Sequence, residues 1–269
     1  MAANRGYQEI IDILGSECAI FPIGDPAQEN AARTIVTTKG AGGGDGLLLT
    51  YSEARTAFDL ATEYTRSPNR IPLVPLNGSD ENADTPDIDF FSRVGAPFSI
   101  GFWIRPVIDG NDAILSKWDA VAEAREWTTN IDTNGIVLLK KRDQSASVDS
   151  IRPSNTAIVA GQLAFCVFTD DGADSDASIN IYLHGVLDNG TPEHSGSYDA
   201  MEANTGVVEL GALNIGAVQL FAGDIAGGHL GPFFTHKELS APEVRQLRDI
   251  GRQYLFGGFP PLRRRYGRA

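Results

Sequence analysis

Sugar binding asks for an aromatic ring beside polar loop residues, and two tryptophans fit: Trp118 and Trp127 stand near strand ends with Asp119 and Asp132 close by in sequence. The alternative is that both rings pack beneath loops. Glycoside hydrolysis asks for more. A retaining mechanism needs two carboxyl groups about 5 Å apart, which on one strand face means an E-x-D-x-E type of spacing. The chain has no such array; its acidic strings, "DIDF" from Asp87 and "DDGADSD" from Asp170, have another pattern and read as loops. The histidines at 184, 194, 229 and 236 lie in no nucleophile motif. His229 and His236 as zinc ligands have less behind them than two solitary histidines. Cys18 and Cys166 lack metal-type spacing, and Cys166, inside the apolar run Leu163 to Phe168, reads as a buried inert thiol. The expectation is a binding protein and not an enzyme.

The elements that must hold these residues are mostly strands. Short runs rich in β-formers alternate with Gly, Asp, Asn and Pro from Arg70 onward, the pattern of a sandwich or jelly roll. Strands are expected at Arg33 to Lys39, Leu47 to Tyr51, Leu73 to Leu76, Phe98 to Ile104, Ala113 to Lys117, Trp127 to Ile131 and Gly135 to Lys140, then at Leu163 to Phe168, Ile179 to Leu183, Val207 to Leu210 and Leu213 to Ala217. Gly40 to Gly46 reads as a turn or loop, and Ser52 to Tyr64 is ambiguous. Phe98, Ile100, Phe102 and Ile104 alternate with small or polar residues, so one face of that strand meets a core, and Trp103 is expected to be buried between the sheets.

Two helices flank the strands. Tyr7, Ile10, Ile11 and Leu14 recur at helical spacing behind Asn4, a good N-cap. Ser240 and Glu243 form a capping box ahead of Val244, Leu247 and Ile250, with Gly251 near the helix end. The division expected is an extension over 1–69, a β-sandwich over 70–251 and a basic arm over 252–269 carrying Arg263, Arg264 and Arg265.

With 269 residues and 42% apolar content the chain can bury one large all-β core. A formal net charge of −13 repels phosphate backbones, which argues against nucleic acid and anionic membranes as partners. Glu9 and Asp12 interrupt the start where a signal peptide would be apolar, and no run reaches the roughly 18 residues of a membrane span.

From Asn77 to Leu247 the order of motifs resembles the laminin-G-like branch of the concanavalin A-like lectin and glucanase superfamily. "PLNGSDENADTPD" (Pro75 to Asp87) is similar to its opening turn, "PFSIGFWIRP" (Pro97 to Pro106) to its most specific strand, and "AILSKWD" (Ala113 to Asp119) to the next. "GQLAFCVFTDDG" (Gly161 to Gly172) follows with Leu163 in place of the usual tryptophan, and "INIYLHGVLDNG" (Ile179 to Gly190) with His184 in place of an acidic residue. "LFAGDIAGGHLGPFFTHKELSAPEVRQL" (Leu220 to Leu247) resembles the last strand and capped helix. The resemblance implies a jelly-roll sandwich and calcium held by Asn77, Asp80 and Asp224 near its rim.

Such modules occur among tailed-bacteriophage structural proteins, so the resemblance also implies a virion surface component, in head or tail, that binds a host-surface glycan or reinforces the shell. Its partners would be its own copies and other virion proteins, engaged through the Tyr7, Ile10, Ile11 and Leu14 stripe and the Arg263 to Arg265 cluster. The alternatives are a free or secreted lectin and a glycoside hydrolase with an unrecognised site.

Overall fold

The computed structural model describes residues 3–25, 27–30, 35–51, 71–119, 122–173, 175–194, 196–213 and 219–256. Two antiparallel sheets stack face to face. The first runs β14 (Val186–Leu187), β13 (Ile179–Leu183), β12 (Ala164–Asp170), β7 (Phe98–Pro106), β18 (Phe233–Thr235), β1 (Cys18–Ile20) and β3 (Lys39–Ala41), with β17 (Ala222–Ala226) pairing both β7 and β5 (Leu73–Asn77). The second runs β15 (Glu193–His194), β11 (Val148–Pro153), β10 (Val137–Asp143), β9 (Ala124–Ile131), β8 (Asp112–Asp119), β16 (Val208–Leu210), β6 (Ala83–Thr85), β4 (Leu48–Tyr51) and β2 (Ile35–Thr37). Helices α1 (Ala3–Leu14) and α2 (Ala241–Phe256) are the α-helices among the described residues. The all-β sandwich expected from the turn spacing is the fold observed.

Strand β7 shows why. Phe98, Ile100, Phe102 and Ile104 point between the sheets, where Phe98 stacks on Phe234 at 5.7 Å and Phe234 on Trp127 at 5.4 Å. Each such side chain contributes about 1.5–3 kcal/mol by leaving water. Trp103, one residue out of phase, faces the other way. It is buried, but in a second core between the first sheet and the helices, stacked on Phe165 at 4.8 Å. Its expected place between the sheets is therefore corrected: alternation put it on the opposite face, and the helices covered it.

That second core also settles the apolar stripe of α1. Tyr7, Ile10 and Leu14 are buried against the chain's own first sheet and α2, with Ile11 packed at the edge, so the stripe has no free face for another subunit. Ile13 is buried alongside them, and the helix starts at Ala3, leaving Asn4 inside it and not at its cap. Helix α2 begins as its box predicts, with the Ser240 hydroxyl and amide both donating to Glu243 at 2.7 and 2.9 Å. It does not stop at Gly251, which sits mid-helix because a Cβ there would lie 2.5 Å from the Trp103 indole nitrogen. Residues 252–256 are thus helix and not arm. Gly40 belongs to β3, since a side chain there would strike the Cys18 carbonyl on the neighbouring strand. Ser52 to Tyr64, most of Leu213 to Ala217, and Arg263 to Arg265 lie outside the described residues. Both cysteines are buried and free, and burial pushes the Cys18 thiol up to about 11.

Two lysines lie inside the sandwich. Lys117 is 0% exposed and donates to Glu126 at 2.6 Å, Asp87 at 2.9 Å and the Asn204 carbonyl at 2.7 Å. Lys141 pairs with Asp170 at 2.7 Å and donates to Ser178 at 3.1 Å.

His229 lies in the helix-covered core, edge-on to Tyr7 of α1 at 5.9 Å and Tyr254 of α2 at 4.1 Å. Its Nε2 is buried without a partner, and burial lowers the imidazole to about 4, with Asp25 pulling the other way. The unfolded chain takes up this proton near pH 6.5 and the folded one only near 4, so stability should fall as pH drops through that window, by at most about 1.4 kcal/mol per pH unit. Asp112, pushed up to about 6 chiefly by burial, acts in the opposite sense. The comparison is therefore between wild type and His229→Phe at each pH. Their difference in urea midpoint should shift between pH 7 and 4; a constant difference would mean the imidazole is solvated.

Candidate functional site

The outer face of the second sheet is where polar side chains gather on a rigid surface. Inward residues of β8 to β11 such as Leu115, Trp127, Leu139 and Val148 are buried, so their neighbours in the alternation point out: Thr128 and Asn130 from β9, Leu138 and Lys140 from β10, Ile151 from β11. With Trp118 of β8, Asn111 just before that strand, Glu193 of β15, and Asp132, Leu213 and Gln219 from loops, they line an open pocket of about 330 Å³. That lies at the lower end of the roughly 300–1,000 Å³ of small-ligand sites.

The pocket has a fixed floor. The Thr128 hydroxyl donates to the Asn130 side-chain carbonyl at 2.9 Å, and the Asn130 amide donates to Gln219 at 3.0 Å. Gln219 is held at φ 58, a left-handed conformation unusual for a residue with a side chain, and its backbone carbonyl accepts the Ala113 amide at 3.1 Å. Such backbone strain concentrates where a side chain must be presented to something. Trp118 packs on Ala113 and Leu213, and the Lys140 ammonium stands 5.3 Å from its ring centroid. Lys140 is also 3.6 Å from Asp149, whose other oxygen accepts from Arg142 at 2.8 Å. The carboxylate of Asp132 accepts the backbone amides of Asn134 and Ile136 at 2.8 and 2.9 Å, closing the turn between β9 and β10. The chemistry on offer is hydroxyl recognition by amides over an aromatic and aliphatic floor.

Of the two tryptophans singled out in the sequence, the structure brings Trp118 to the pocket, 7% exposed at its wall. Trp127 corrects the expectation. It is fully enclosed between the sheets, its indole N–H donating to the Phe91 carbonyl at 2.9 Å, and has no face for a sugar. The three residues expected around calcium are occupied otherwise. The Asn77 side-chain oxygen accepts the amides of Ser79 and Asp80, its amide donates to Asp80 at 2.7 Å, and Asp224 pairs with Arg105 at 2.6 Å. Their oxygens serve a turn and an ion pair, and among the described residues no group of three His, Cys, Asp or Glu side chains is placed to hold a metal. The Nε2 of His236 lies 2.7 Å from the Phe90 carbonyl, an interaction suited to structure.

Sequence reasoning missed Asn130, Lys140, Glu193 and Gln219. The signal present was the polar half of the alternation in β9 and β10, Thr128 with Asn130 and Lys140 with Arg142, on strands whose other half is core.

Fold and pocket together define a two-sheet antiparallel β-sandwich with an open polar pocket on one outer face. No sequence-family profile matches the chain, and no curated protein matches it. Among solved structures it is similar to the receptor binding domain of botulinum neurotoxin mosaic serotype C/D (12% identity, TM-score 0.56, 89% of this chain and 51% of that one). It is also similar to Trypanosoma rangeli sialidase (12% identity, TM-score 0.54, 96% and 39%) and to the binding domain of botulinum neurotoxin DC solved in complex with SialylT (13% identity, TM-score 0.52, 88% and 52%). The chain thus spans about half the length of the toxin domains and about two-fifths of the sialidase. At these identities the likeness shows the fold alone. Among the described residues no helix is long and apolar enough to cross a membrane.

Proposed function

We propose that this chain is a non-catalytic, carbohydrate-binding sandwich whose ligand sits in the pocket on the outer face of the second sheet. The observation that carries the reading is the amide row of Asn130 and Gln219, set by hydrogen bonds beside Trp118 and built on rigid strands. Similar solved structures include a toxin domain in complex with SialylT and a sialidase, which supports a sugar ligand on this fold. A binding role fits better than hydrolysis because Asp132, one of the two lining carboxylates, is committed to its own turn.

The test is a glycan array followed by titration of the best ligand. Gln219→Ala and Asn130→Ala, which remove hydroxyl-reading groups from the rim and floor, should each weaken binding about tenfold, the value of a hydrogen bond or two, with the melting temperature little changed for the exposed Gln219. Undiminished affinity in both would move the ligand elsewhere.

The finer placement, on the surface of a bacteriophage particle with its own copies and other virion proteins as partners, rests on the order of laminin-G-like motifs and on an arginine triplet, Arg263 to Arg265, in an acidic chain. An intact chain that stays monomeric and joins no larger assembly would overturn it and favour a free lectin.

A further inference from the structure

The charges around the pocket go beyond the presence of a sugar to its kind. The residues that line it include one cation, Lys140, and two carboxylates, Asp132 and Glu193. Lys140 is already engaged twice, over the Trp118 ring and with Asp149. No arginine is among the described lining residues, and the planar guanidinium fork is the group best suited to grip a sugar carboxylate. Arg142, the nearest described candidate along β10, is held by Asp149 on that strand's outward side. Beside these charges the polar groups that line the pocket are the amides of Asn111, Asn130 and Gln219 and the Thr128 hydroxyl, which read neutral hydroxyls. The whole chain carries −13 formal charges, so its field adds to the local repulsion of an anion.

We infer that the pocket selects uncharged sugars and rejects acidic ones such as those ending in sialic acid. The inference rests on the pocket being a glycan site. Glu193 is exposed on β15 and supplies repulsion without supporting the core. Asp149, 3.6 Å from Lys140, offsets the charge of the one described cation that lines the pocket. The selectivity is thus set by two removable carboxylates, one facing the ligand and one behind it.

Matched pairs of neutral oligosaccharides and their sialylated counterparts should be titrated against the full chain at low and high salt. Neutral members should bind at least about tenfold more tightly at low salt, with the gap narrowing as salt screens the charges. Glu193→Gln should improve binding of the sialylated members about threefold relative to their neutral counterparts, the effect of one charge several ångströms away in a wet site. Asp149→Asn, by freeing Lys140, should act in the same direction. Preference for the sialylated members would overturn the inference while leaving the glycan reading intact. Binding of neither class across the panel would overturn both. Equal affinity for the two, unmoved by either substitution, would show that the pocket does not discriminate by charge and would overturn the inference alone.

Discussion

Lys117→Met should destabilise the fold by about 3–5 kcal/mol, the usual cost of stripping the partner from a buried charge. Lys117 and Glu126 are both 0% exposed, and the lysine's three donated hydrogen bonds tie together β9, the segment at Asp87 and the loop at Asn204. Glu126 depends on that cation. Burial raises its pKa, Lys117 is the largest influence lowering it, and one of its oxygens is buried with no partner at all. Without the ammonium the carboxylate escapes only by taking a proton, so the loss should shrink as pH falls. The double variant Lys117→Met/Glu126→Leu should recover much of the stability, because a pair of buried charges costs desolvation that apolar side chains do not. Urea midpoints with unchanged slopes would measure this. A single substitution that costs no more than a surface change would mean that water reaches the pair.

The second large effect is at the seam between the first sheet and α2. Trp103→Ala should cost about 3–5 kcal/mol, as deletion of a large enclosed aromatic does. The ring lies on Phe165, and α2 approaches so closely that position 251 has no room for a methyl group. Gly251→Ala should therefore cost about 1–3 kcal/mol in the wild type through overpacking. In the Trp103→Ala background the same change should be neutral or stabilising, since alanine is the better helix former by about 1 kcal/mol and the clash has gone. Additive effects in that cycle would mean that the helix does not rest on the ring.

How much of this could be read in advance follows from how local each signal was. The alternation in β7 and the capping box of α2 are complete within a few residues, and both stood in the structure as in the sequence. Strands β1, β3 and β18 have three residues each. Too short for a period to show, β1 and β18 exist because neighbours on both sides supply hydrogen bonds, and β3 because it pairs with β1 at the sheet's edge. The stripe on α1 required a partner surface but could not name one, and the surface proved to be the chain's own. Trp103 and Trp127 illustrate the same limit. Both were legible as large apolar residues on strands, yet which layer each entered depended on strand phase and on helices distant in sequence. The pocket was least legible, because its residues come from five strands and the loops between them, and only the sheet's order makes them neighbours.

The two helices lie on the outer face of the first sheet and the pocket on the outer face of the second. The molecule is therefore two-sided, with a closed back and an open front separated by the full thickness of the sandwich. Anything that grips the back leaves the front free, so anchoring and ligand capture need not compete. Copies held by that back in a common plane would present their pockets in parallel, and a weak grip by each on one sugar would multiply across a glycan-coated surface into a firm one.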